Sequence, residues 1–112
     1  MTEVFFTENS DGMITGFRCT GHAGYKRFGP DMVCAGISAL TINANNSLEE
    51  IAGASVDTRP GRNKGDLSVR LLTKPDEKTE VIMRSLVLGL REISRDYGEK
   101  YCKVTIKEEV QC

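Results

Sequence analysis

The run "PDMVCAGISALTINANNSLEEIAG", residues 30–53, restricts the fold more than any other part of the chain. Val33, Ile37, Leu40, Ala44, Leu48 and Ile51 recur at steps of three or four, a helical rather than a strand period, and make one apolar stripe. Pro30 suits the first helical turn, where its missing N–H has no partner to lose. Asp31 suits the cap or the first turn, where a carboxylate also meets the positive end of the helix dipole. Gly53 is read as the stop, and the small residues Ala35, Gly36 and Ala39 permit another element to come close. A helix with one long apolar stripe must lie on something apolar, and the flanking segments read as strands.

"TEVFFTE" and "MITGFRCTG" are two such strands, joined by the turn "NSDG". Strict alternation in the second predicts Ile14, Gly16, Arg18 and Thr20 on one face, and Thr15, Phe17 and Cys19 on the other. Cys19 is then a small residue packed beside Phe17. "ASVDTRPGRNKGDLSVRLLT" reads as a second hairpin with a long polar loop. Pro75, Asp76 and Glu77 open a second helix with the stripe Ile82, Leu86, Leu90, Ile93 and Tyr97, and Gly98 closes it. "KYCKVTIKEE" is the last strand. The expected fold is α+β, a two-layer α/β sandwich with a mostly antiparallel sheet and two helices in the order β-β-α-β-β-α-β. It is read as a single domain over residues 1–112. Val81, Met83, Val87 and Leu88 lie beyond the second helix's main stripe and call for either a broad buried face or a partner chain. A symmetric dimer is the preferred reading.

The totals narrow the function mainly by exclusion. Fifteen Lys and Arg stand against sixteen Asp and Glu, a formal net charge of −1, which offers no electrostatic case for nucleic acid. The basic loop "TRPGRNKG" is too sparse to reverse that. No apolar run is long enough to span a bilayer, and "MTEVFFTENSDG" lacks the basic start and apolar stretch of a signal peptide. A soluble, cytoplasmic protein is expected. The four cysteines, at 19, 34, 102 and 112, form no C-x-x-C pair, and the single histidine completes no zinc set of familiar spacing. No metal or other cofactor is expected. Disulfides would be out of place in a reducing compartment, so most of these thiols are read as core fillers.

Cys34 is the exception. With Asp31 as the cap it falls at the third helical position, where backbone N–H groups and the dipole favour an anion, the nucleophilic form of a thiol. Cys34, Ser38, Thr41 and Asn45 line up at i, i+4, i+7 and i+11, turned about 100° from the apolar stripe, so Cys34 heads a polar line beside the core. His22, the only imidazole, follows the second strand, whose end must lie close to the helix start. Any Cys–His chemistry in this chain must use it. Asp31 can orient that imidazole or serve only as a cap, and Ser38 can bond the thiolate or its own helix backbone. Gly21, Gly24 and Gly29 loosen the segment between them. Tyr25, Lys26, Arg27 and Phe28 read as a lid, with Phe28 and Met32 offering apolar contact to a peptide.

At these residues the sequence resembles a known family. "GHAGY" followed by "GPDMVCAGISAL" is similar to the paired motif of the bacterial ribosomal-processing cysteine proteases, often called Prp, and the likeness runs the length of the chain. The resemblance implies a cytoplasmic homodimer and a Cys–His endopeptidase that needs no cofactor. Its implied substrate is a ribosomal protein precursor, the amino-terminal extension of large-subunit ribosomal protein twenty-seven. Cys34 matches the nucleophile and His22 the base. Asp31 and Ser38 match supporting positions, and Gly21 and Gly24 match the flank that rearranges to admit peptide. Met32 and Gly36 stand where isoleucine and alanine are usual. Two other readings remain at this point. One is a non-catalytic ribosome-associated module that binds RNA or protein through Arg59, Arg62 and Lys64. The other is a thiol-based redox or acyl-transfer protein.

Overall fold

The structure, a computed structural model, describes residues 1–25 and 31–109. Phe28, read above as a substrate contact, lies outside the described residues, as do Pro30 and Cys112. Seven elements follow in the expected order: β1 (Thr2–Glu8), β2 (Ile14–Gly21), α1 (Met32–Glu50), β3 (Val56–Pro60), β4 (Leu67–Leu71), α2 (Glu77–Tyr97) and β5 (Cys102–Glu108). They build one five-stranded sheet in the order β3-β4-β2-β1-β5. All neighbours run antiparallel except β5, which joins β1 in parallel, with Thr2 opposite Cys102 and Glu8 opposite Glu108. A parallel partner needs a long crossover, and α2 supplies it. The α+β sandwich read from the sequence is the fold observed.

The core is formed where both helices meet the sheet. Val4, Phe6, Phe17 and Val69 from the strands pack with Val33, Ile37 and Leu48 of α1 and with Met83, Leu86 and Leu90 of α2. The expected facing of β2 holds for Phe17 and Cys19 but fails for Ile14, which is fully buried on their side. The register explains it. Thr7 pairs with Gly16 but Glu8 pairs with Ile14, so Thr15 is an extra residue and the alternation slips there. A bulge of this kind flips the facing of what precedes it.

Both helix stripes also need adjustment. In α1 the apolar line ends at Leu48. Ile51, at the C-cap, is 71% exposed, while Thr41 from the polar line is buried. Its hydroxyl donates to the Ser38 carbonyl at 3.2 Å, which satisfies the polar atom within the helix and frees the methyl to pack. In α2 the buried positions are Thr79, Met83, Leu86, Val87 and Leu90; Ile82 and Ile93 flank them, and Tyr97 is exposed. The face has turned because α2 packs against both α1 and β5. Met83 and Val87 thus belong to a broad buried face, while Val81 and Leu88 remain 65% and 61% exposed.

The far end of β1 from Thr2 is clasped by one side chain. Arg84 donates to Glu8 Oε2 at 2.6 Å, to Glu80 Oε2 at 3.0 Å and to the Gly12 carbonyl at 2.8 Å. Glu80 Oε1 in turn accepts the Ile14 N–H at 2.9 Å, so the β1–β2 turn is tied to α2. The other end of the sheet, where β2 gives way to the start of α1, carries the reactive residues.

Candidate active site

Asp31 is the N-cap of α1: its Oδ1 accepts the N–H of Val33 at 3.0 Å and of Cys34 at 3.1 Å. Its carbonyl accepts the Ala35 N–H at 3.0 Å. Cys34 therefore occupies the third helical position, as the spacing predicts. The second carboxylate oxygen reaches out of the helix and accepts the Tyr25 N–H at 3.0 Å, fixing the far side of the segment that follows β2. Asp31 thus joins two pieces of chain that the sequence separates by a glycine-rich stretch.

The same juxtaposition sets the surroundings of the thiol. Cys34 is half-buried against the core, and its Sγ accepts the backbone N–H of Ala23 at 3.2 Å. Ala23 is the residue after His22, so the sole imidazole is carried on the backbone that touches the sulfur. His22 and Cys34 line one cavity of about 170 Å³ together with Thr2, Cys19, Gly21, Ser38 and the loop residues Lys64 and Gly65. Ser38 sits one turn along α1 from Cys34. Of the residues singled out in the sequence, Cys34, His22, Ser38 and Gly21 are brought to this cavity, and Asp31 braces its edge.

Gly21 ends β2 at φ +90°, and a Cβ built there falls 2.4 Å from the Met1 carbonyl oxygen, so no side chain fits. Gly24 has φ +68° but open space around it, which suits a turn that another glycine-like conformation must make. Tyr25 is not a loose lid residue: its ring stands edge-on to Tyr97 at 5.2 Å and to Tyr101 at 5.1 Å. The ring contact explains why Tyr97 is drawn away from the core stripe expected for it. Met32, in the first turn of α1, is exposed.

Sequence reasoning missed the wall contributed by the β3–β4 loop. Lys64, weighed earlier only as a contact to RNA phosphate, lines the cavity with Gly65. Arg59 is engaged by Asp57 at 3.2 Å. The loop is held by Asp66, whose Oδ1 accepts the Gly21 N–H at 3.1 Å. The signal was the Asp in "KGDLSV" directly before a strand, a residue suited to bonding nearby backbone N–H groups. Cys19 lines the cavity from the core side. Burial above all, then the Asp66 carboxylate and the Cys102 and Cys34 sulfurs, pushes its thiol up to about 11. Burial also raises Cys102. Among the described residues no helix is long and apolar enough to cross a membrane, and no group of three His, Cys, Asp or Glu side chains is placed to hold a metal ion.

Comparison with known proteins agrees with this arrangement. The family profile described as cysteine protease Prp matches residues 1–103. The chain is 27% identical over 99 residues to the ribosomal processing cysteine protease Prp of Staphylococcus aureus, covering 88% of this chain and 93% of that protein. It is 28% identical over 103 residues to the Bacillus subtilis protein of the same name, covering 88% and 92%. The crystal structure of the essential ribosomal processing protease Prp from S. aureus, in complex with a covalently linked product peptide, superposes with a TM-score of 0.87 at 25% identity. That match covers 96% of this chain and all of the other. A chain that follows these proteins in fold and over residues 1–103, with a thiol at a helix start and the sole histidine lining the same cavity, belongs to the cysteine protease Prp family and is a cysteine peptidase.

Proposed function

We propose that the peptidase is an endopeptidase that removes the amino-terminal extension of large-subunit ribosomal protein twenty-seven, with Cys34 as nucleophile and His22 as base. One observation carries this reading: the only imidazole and a half-buried helix-start thiol open on the same cavity, joined through the Ala23 N–H at 3.2 Å from the sulfur. The steps follow the chemistry of an activated thiol. His22 takes the Cys34 proton, and the sulfur attacks the scissile carbonyl carbon. The C–N bond breaks as His22 returns the proton to the leaving amine, which departs as the new amino terminus of the mature protein. Water, deprotonated by His22, then attacks the thioester, releases the extension as a carboxylate and restores the thiol.

The N–H groups of Val33, Cys34 and Ala35 are already engaged by Asp31. On the strand-end side the Ala23 N–H, 3.2 Å from the sulfur, is the donor proposed to turn to the oxyanion as the sulfur is acylated. Asp31 and Ser38 support the pair, Asp31 by bracing both walls and Ser38 from one turn below. Gly21, Gly24, Tyr25, Phe28 and Met32 form the substrate-binding edge, and a mobile protein tail is the substrate such an edge admits. The enzyme works without a cofactor, in the cytoplasm. It acts as a homodimer, a reading supported by the exposed Val81 and Leu88 on α2 and by exposed Ile51, which lines one groove with Val81, and tested by sedimentation.

Incubation with the extended ribosomal protein tests the reading. Wild type shortens it, as read by mass spectrometry, while Cys34→Ala and His22→Ala do not. Shortening by the variants, or none by wild type, overturns it.

A further inference from the structure

We propose that Asp66 is a positioning residue of the peptidase site, holding the imidazole-bearing strand end and the opposite cavity wall in one arrangement. The inference rests on the function proposed above and adds a residue outside both sequence motifs.

Asp66 stands just before β4 and is half-buried. One carboxylate oxygen accepts the N–H of Gly21 at 3.1 Å. The other accepts the N–H of Asn63 at 3.1 Å. Its own backbone closes the loop around it: the Asp66 N–H donates to the Asn63 carbonyl and the Gly61 N–H to the Asp66 carbonyl, each at 3.0 Å. A single carboxylate side chain therefore spans two segments that no strand pairing joins, since β2 pairs with β4 only from Gly16 to Cys19.

Each end of that span bears on the site. Gly21 immediately precedes His22, sits at φ +90° and lies so close to the Met1 carbonyl that no Cβ fits. The Asp66 bond therefore fixes the direction in which the backbone delivers the imidazole. Asn63 leads into Lys64 and Gly65, which line the cavity with Cys34. Gly65 faces Ser38, with the hydroxyl 3.7 Å from where a Cβ would stand. Two backbone N–H groups held by one carboxylate fix the separation of the segments that carry them, which suits the side chain to holding geometry rather than merely filling space. Asp66 directly precedes Leu67, the β4 residue paired with Cys19 of the inner wall.

The test uses the full chain with Asp66→Ala and Asp66→Asn. Two readouts are taken: steady-state cleavage of the extended ribosomal peptide, and the NMR signal of the imidazole, unambiguous because the chain has one histidine. Asp66→Ala is expected to lower kcat about 10- to 100-fold, the scale of a misplaced catalytic group, with KM within about threefold, and to move the imidazole signal. Asp66→Asn keeps a carbonyl oxygen for Gly21 and recovers part of both. If Asp66→Ala does not fold, Asp66→Asn alone decides: an intermediate kcat with a shifted signal supports the proposal. An unmoved imidazole signal, or a loss confined to KM, overturns it. If wild type cuts no peptide, the proposed function falls, while the imidazole signal still decides whether Asp66 positions His22.

Discussion

The two helices start on the same local code and use it differently. Each begins on an aspartate cap whose Oδ1 accepts the N–H of the third helical residue: Asp31 to Cys34 at 3.1 Å in α1, Asp76 to Thr79 at 2.9 Å in α2. In α2 the device closes on itself. Thr79 Oγ1 accepts the Asp76 N–H at 2.9 Å and donates to the Asp76 carbonyl at 3.1 Å, so both halves of the box close within four residues. In α1 the device is open. The spare carboxylate oxygen goes to Tyr25 and the third-position sulfur takes the Ala23 N–H, both from the segment after β2. The first turn of α2 adds Glu77 and Glu80, whereas that of α1 has no acidic residue. A closed box steadies one helix, and an open one couples a helix to another strand while leaving a reactive atom at a cavity.

Exchanging the third residue of each helix breaks the comparison most sharply. Cys34→Ala is expected to lower peptide cleavage more than about 10³-fold, as loss of a nucleophile does, with the fold intact. Thr79→Ala, at the equivalent place, is expected to leave cleavage within about twofold but to cost about 1 kcal/mol, since it removes one half of a box. Product mass and urea denaturation read the two effects. Cleavage lost in folded Thr79→Ala would remove the distinction between the helix starts. A second difference should appear in thiol labelling. At pH 8 a thiol pushed up to about 11 carries roughly one thiolate per thousand, and Cys19 is only 4% exposed. Iodoacetamide is therefore expected to modify Cys34 at least about 100-fold faster than Cys19 or Cys102, as read by peptide mapping. Comparable rates would mean that the helix start confers nothing on its sulfur.

What the sequence disclosed about these regions follows the reach of each interaction. Element order and the placing of Asp31 and Cys34 were legible because caps and periodicity are local. So was the sharing of one cavity by His22 and Cys34, because a strand end and the helix it feeds cannot be far apart. The bulge at Thr15 was not, since only the partner strand decides which residue is surplus. Nor was the turned face of α2, which depends on where α1 lies. The place of Lys64 and Gly65 at the cavity, and the bond from Asp66 to Gly21, were not legible, because they come from sheet order, in which β4 lies beside β2. The Tyr25–Tyr97–Tyr101 contacts join residues 72 and 76 positions apart and leave no periodic trace.

Alkali bears on the strand behind the α1 start. The Cys19 thiol behind α1 moves from an ordinary 9.0 to about 11 on folding. The sign follows from proton binding: between these values the native state holds a proton the unfolded chain has lost. The contribution is thus fully present below pH 9 and declines as pH rises toward about 11, by at most about 1.4 kcal/mol per pH unit. No thiol lies in the first turn of α2. Urea midpoints from pH 8 to 10.5 are expected to fall, and Cys19→Ala, although less stable at pH 8, to fall less steeply. Parallel slopes for the two proteins would show that Cys19 titrates alike folded and unfolded.

The smallest expected effects come from the caps themselves. Asp76→Ala should cost about 1 kcal/mol and leave peptide cleavage unchanged, because its bonds end inside α2. Asp31→Ala should cost a similar amount, but it also releases Tyr25 from the helix start, so cleavage is expected to drop about tenfold through misalignment of His22 and Cys34. Asp31→Asn separates the two consequences. Asparagine caps as well as aspartate, so stability should return, while activity returns only as far as its side chain still accepts the Tyr25 N–H. Equal activity losses at Asp31 and Asp76 would mean that the open box is no more than a helix cap, and that the alignment of the pair is set elsewhere.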